Sequence, residues 1–152
     1  MKRQLFMGST EIEASKTAGQ ISQMLIAAGA RSIQMDFDAE GRLTGMHFIL
    51  FVDGVPHAFR MPARIDPVFE ILNGRRKSYD RVANKEKDRE AAQRIGWRQL
   101  YRWTEVQLAF AQSGMASIHE VLLPYLVDRS GQTVFEVFEG STFKALPPAK
   151  EA

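Results

Sequence analysis

A chain of 152 residues with 45% apolar and 25% charged side chains has the composition of one globular domain large enough to bury a core. It contains no cysteine, which excludes disulfides, thiolate zinc sites and thiol catalysis and is compatible with a reducing compartment. Net charge is only +2, but Lys and Arg against Asp and Glu number 7 to 8 in residues 1–74, 10 to 5 in residues 75–105 and 3 to 5 in residues 106–152. Half of the cations thus lie in one fifth of the chain, an asymmetry that steers toward an anionic partner. The competing reading is a solvated helix face, on which Glu86/Arg89 and Glu90/Arg94 have the spacing to neutralise each other. No apolar run approaches the ~18 residues that span a bilayer. Lys2-Arg3 has no apolar stretch behind it, so no secretory signal is expected either.

In chain order, residues 1–14 read as an arm with a short strand at Glu11–Ala14. Ser15 is a plausible N-cap for an amphipathic helix that buries Ala18, Ile21, Met24, Leu25 and Ala28 and ends at Gly29. Ser32–Asp38 alternates apolar and polar residues as a strand does, and Ala39-Glu40-Gly41-Arg42 supplies a turn. Leu43–Val52 is apolar on both parities toward its end, the pattern of a central strand covered on both faces. Asp53-Gly54 is a two-residue hairpin signal, and the following strand, with Val55, His57, Phe59 and Met61 alternating, carries an edge-type Pro56. Asp66-Pro67 opens a short helix over Val68–Leu72 that Asn73-Gly74 stops.

From Arg75 to Ser113 the pattern predicts one long helix, basic at its front and aromatic in its middle. Trp103, Val106 and Phe110 form a stripe assigned to the core. Arg94, Arg98 and Arg102 recur every four residues beside Trp97 and Tyr101. Arginine beside flat rings suits phosphate gripping and base stacking, although the same rings could lie at the core edge under arginine stems. Gly114 ends the helix, Ser117 and Glu120 make a capping box, and Pro124 bends or interrupts the helix that follows. Thr133 to Glu136 fits a second capping box or a strand, and the tail from Ser141 reads as loosely ordered.

This order of features is familiar: the helix ending in Gly29-Ala30, Phe59-Arg60-Met61-Pro62, Arg94-x-x-Trp97-Arg98-x-Leu100, Gln107-Leu108-Ala109, Gly114-Met115, Glu120, Tyr125 and Asp128 with Gly131-Gln132-Thr133. Over residues 12–138 it resembles a group of short uncharacterised proteins encoded by tailed bacteriophages and prophages. The resemblance implies a phage-encoded protein of the host bacterial cytoplasm; its motifs are caps, turns and core positions, so it assigns no chemistry.

Other chemistry is sparse. Asp36-x-Asp38-x-Glu40-Gly41 matches half of a calcium loop, but His47 stands where the bidentate Glu belongs, so an acidic turn is the simpler reading. His47 and His57 are offset on adjacent strands and read as sheet-surface histidines without a further convincing metal ligand, and His119 reads as exposed. No phosphate loop or nucleophile elbow appears, so neither catalysis nor a cofactor is expected. The expected fold is α+β: an N-terminal helix, a three-stranded antiparallel meander, one long helix and one or two shorter C-terminal helices, in one domain over residues 1–140. The expected function is non-enzymatic binding of single-stranded nucleic acid through Arg75, Arg76, Lys77, Arg81, Lys85, Arg94, Trp97, Arg98, Tyr101 and Arg102. The alternative is a small accessory protein that binds a host or phage protein, as a homodimer through the long helix.

Overall fold

The computed structural model describes residues 4–142 and Pro147. The fold is α+β. Helix α1 (Ala14–Ala27) is followed by the antiparallel meander β1 (Ala30–Phe37), β2 (Leu43–Val52) and β3 (Val55–Pro62), in spatial order β1-β2-β3. Four more helices follow, α2 (Asp66–Gly74), α3 (Ser78–Ala83), α4 (Lys85–Gln112) and α5 (Ile118–Leu122), then a single 3-10 turn at Leu123–Tyr125 and the short helix α6 (Val134–Val137). No helix among the described residues is long and apolar enough to cross a membrane. Of the tail expected to be loose, the stretch 143–152 lies, apart from Pro147, outside the described residues.

The meander follows from its turns. Asp53 and Gly54 both take positive φ, 51° and 78°, the conformation of the tightest hairpin loop, and this sets Leu50 opposite His57 and His47 opposite Arg60 as the two-residue turn requires. With that register, Met46, Phe48 and Leu50 share a face with Phe59 and Met61, and the rings of Phe48 and Phe59 stack with centroids 5.4 Å apart. Ala18, Ile21 and Leu25 of α1 and Ala92, Ile95 and Trp97 of α4 complete this core. Coverage is one-sided: on the opposite face of β2, Ile49 is half-buried and Phe51 exposed beneath the Arg31 guanidinium, so the expected two-sided burial of this strand does not occur. No strand forms at residues 11–14, since Ala14 already opens α1 behind Glu13 rather than behind Ser15.

The stretch from Arg75 to Ser113 is not one helix. Asn84 divides it: its side-chain amide donates to Asp80 O (2.9 Å) and its backbone carbonyl accepts from Asp88 N (2.9 Å), closing α3 and opening α4. Asn73, at the end of α2, reaches Arg81 O (3.0 Å) and holds α3 against that corner. The inner stripe of α4 is also not the one expected. Val106 and Phe110 are 48% and 41% exposed, whereas Trp97 is fully buried and gives its indole N–H to Leu43 O (3.3 Å). The reason is position: Trp97 and Thr104 in the middle of α4 reach Leu43 O of β2 and Met61 Sδ of β3, while its last turns lie beside α1 and α5. After Gly114 (φ 76°), the Ser117 hydroxyl accepts from Glu120 N, Pro124 falls in the 3-10 turn, and Thr133 with Glu136 forms a complete capping box, so that segment is helical.

Trp97→Ala should cost about 3–5 kcal/mol, the usual range for emptying a large core site, read as a lower urea midpoint. In a Trp103→Phe background, Trp97 should emit in the blue and resist acrylamide quenching; ready quenching would contradict its burial.

Candidate nucleic-acid interface

The ten residues expected to form one surface fall into two groups. In the rear group, Arg98 is buried, donates to Gln20 Oε1 at 2.6 Å and lies 4.1 Å from the centroid of the Tyr101 ring. Tyr101 is half-buried between Arg98 and Arg102, and Arg102 pairs with Glu105 at 3.0 Å. Arg94 is partly buried, with its Nε sealed from solvent. Trp97 has no exposed surface, so it cannot stack on a base in this fold. The arginine stems and rings here knit α4 to α1 and to the sheet, so the rear group does not form the expected surface.

The front group stands on a corner built from the end of α2, all of α3 and the first turn of α4. Arg76 is its fastener: Nε and Nη2 each reach an Asp88 carboxylate oxygen at 2.7 Å, and Asn73 Nδ2 adds a third bond at 3.1 Å. Asp88 is buried, and these bonds, the Arg76 guanidinium above all, hold its carboxyl below the usual range while raising the Arg76 value. Arg76 is thereby structural rather than presented. Around it Arg75, Lys77, Arg81 and Lys85 are exposed, and Arg81 braces the corner by donating to the carbonyls of Arg76 (3.3 Å) and Gly74 (3.4 Å).

The strongest feature of this corner is a residue that sequence reasoning missed. Tyr79, in a helix with no buried residue, is 72% exposed, with Lys77 Nζ 5.9 Å from its ring centroid. The signal was present: Gly74 and Asn84 bracket a segment too short for a long helix, and Tyr79 has only Val82 and the small Ala83, both exposed, as apolar partners at helical spacing. Nearby carboxylates do little to cancel the charge. Glu86 pairs with Arg42 (2.6 Å) and Arg89 with Asp66 (2.5 Å), so the anticipated Glu86/Arg89 pairing along the helix does not form. Among the described residues no carboxylate lies in ion-pair range of Lys77, Arg81 or Lys85.

Elsewhere, Asp38 Oδ1 accepts from the backbone of Glu40 and Arg42, an ordinary acidic turn. His47 Nε2 lies 2.9 Å from Asp36. His57 packs edge-on against His119, 4.7 Å between centroids, so His119 is half-buried rather than exposed. No group of three or more His, Asp or Glu side chains suited to a metal ion occurs among the described residues. Comparison with protein-family models, curated proteins and solved structures gave no match to this chain.

Replacing Asp88 with Asn should remove about 1–3 kcal/mol, the usual worth of hydrogen bonds to a charged group. Because the folded Asp88 value is depressed, its contribution is complete above the ordinary carboxylate range and is lost as pH falls through the folded value. Urea midpoints of the two proteins should therefore differ at neutral pH and converge in acid; a pH-independent gap would exclude this origin.

Proposed function

We propose that this chain is a non-enzymatic, phage-encoded protein that binds single-stranded nucleic acid in the bacterial cytoplasm, with the α2–α3–α4 corner as its contact. The observation that carries the reading is Tyr79, which stands out into solvent beside Lys77, on the short helix that also carries Arg81 and is followed by Lys85, instead of packing. A ring in that setting offers a stacking platform, and the Lys77 ammonium beside it, with the other cations of the corner, offers partners for the neighbouring phosphates. Stacking on Tyr79 needs an unpaired base, which favours single strands over duplex. The corner is braced by Arg76–Asp88, so the contact is preorganised and loses little freedom on binding.

Fluorescence anisotropy with labelled single-stranded and duplex DNA and RNA at about 50 mM salt tests this directly. Tyr79→Ala should weaken single-strand binding by about 1–3 kcal/mol and leave duplex binding nearly unchanged, while Lys77→Glu with Arg81→Glu should weaken both. A wild-type protein with no salt-dependent affinity for any of these would refute the reading.

A second reading, contact with a protein partner or a second copy through α4, is favoured by one observation. Val106 and Phe110, one turn apart near the end of α4, are exposed together with Met115, whose backbone N–H returns to Phe110 O (3.0 Å). If they form an interface between copies, light scattering should show a dimer that Val106→Ser with Phe110→Ser converts to monomer; a wild type monomeric at every concentration would set aside self-association.

A further inference from the structure

Beside the basic corner lies a groove of about 860 Å³, walled on one side by residues 4–10 and on the other by Ile71 and Arg75 of the α2 end and Gln99 of α4. We propose that this groove receives one unpaired base of a single-stranded nucleic acid whose phosphates lie on the corner, a site that rests on the function proposed above and extends it. The wall is not a loose end. Two consecutive tight turns shape it, Gly8 N to Leu5 O at 2.8 Å and Thr10 N to Met7 O at 3.1 Å, with Met7 held at φ 59°. Gly8 is required there, because a Cβ would sit 2.7 Å from Leu5 O. Leu5 packs against the core, and Gln99 Nε2 donates to Phe6 O at 2.8 Å, tying the loop to α4.

This anchored loop holds the Phe6 side chain 63% exposed at the groove, and the groove's other apolar wall, Ile71, is exposed as well. The two turns hold Met7 in the left-handed region, and the Phe6 ring beside it keeps most of its apolar surface in water, which an occupant stacked on the ring would cover. An unpaired base does so: its π-face stacks on Phe6 while the Ser9 and Thr10 hydroxyls and the Gln99 amide meet its polar edge. Charge selects the same occupant. Arg75 lines the groove and is the first cation of the corner, so a base in the groove has its own phosphate at Arg75 and the next phosphates toward Lys77 and Arg81. An apolar peptide would match Phe6 and Ile71 but leave Lys77 and Arg81, the next cations of the corner, without an anionic partner.

The test compares anisotropy titrations of a labelled oligothymidylate of about eight nucleotides, within the usual single-strand site size, with an abasic oligomer of equal length and charge. Three proteins are used: wild type, Phe6→Ala and Phe6→Trp, each checked by circular dichroism for an unchanged fold. Wild type should bind the base-containing strand about tenfold more tightly than the abasic one, Phe6→Ala should lose most of that preference while keeping its abasic affinity, and Phe6→Trp should retain it. Tyr79 contributes base preference too, so the Phe6 substitution rather than the preference alone is decisive. A preference unchanged in Phe6→Ala overturns the groove and leaves the phosphate-binding corner standing; absence of binding to either strand overturns both.

Discussion

One geometric constraint governs the molecule: α4 is buried on two faces, one with Asp88, Ala92 and Ile95 and the opposite one, toward the sheet, with Trp97 and Thr104. With Trp97 sealed and its indole N–H bound to Leu43 O, the helix cannot rotate without leaving that donor unpaired in the core. The rotation so fixed carries Arg98 inward to Gln20, folds Tyr101 between two guanidinium groups, and turns Val106 and Phe110 outward. It also points Asp88, two turns earlier, toward the end of α2, where Arg76 meets it. The corner that presents Tyr79 therefore depends on the same packing that removes Trp97 from the surface.

Electrostatics is divided along the same line. Several charges are paired: Arg76 with Asp88, Arg102 with Glu105, and Arg42 with Glu86, Asp38 and Glu40. These pairs fix relative positions more than they add stability, since the exposed ones are worth little individually. Lys77, Arg81 and Lys85 are left as the local surplus, and it is their place on one corner with an exposed ring, rather than the total charge of the segment, that makes the corner a candidate contact.

Local chemistry made the sheet and caps legible in the sequence. Asp53-Gly54 fixed the register of β2 on β3, and Thr133 with Glu136 wrote a complete capping box, because each depends on residues only a few positions apart. The break at Asn84 was missed although its bond to Asp80 O spans only four residues, because a single asparagine with no glycine or proline beside it is a weak helix stop. The role of Trp97 was mistaken for a related reason. Periodicity identifies stripes on a helix but not which stripe faces the sheet, and Trp97 with Tyr101 and Trp103 with Val106 and Phe110 were rival stripes on the same cylinder. Likewise Phe6 and Gln99, 93 positions apart, meet through a backbone carbonyl that no sequence pattern marks.

The measurement that tests the central claim most directly is the salt dependence of single-strand affinity for the wild type against Lys77→Glu with Arg81→Glu. Each phosphate neutralised contributes about −0.7 to the slope of log affinity on log salt for single strands. Contacts from Arg75, Lys77, Arg81 and Lys85 thus predict a wild-type slope near −3, made shallower by at least half in the double variant. An equal slope in the two proteins would place the phosphates elsewhere and contradict the account.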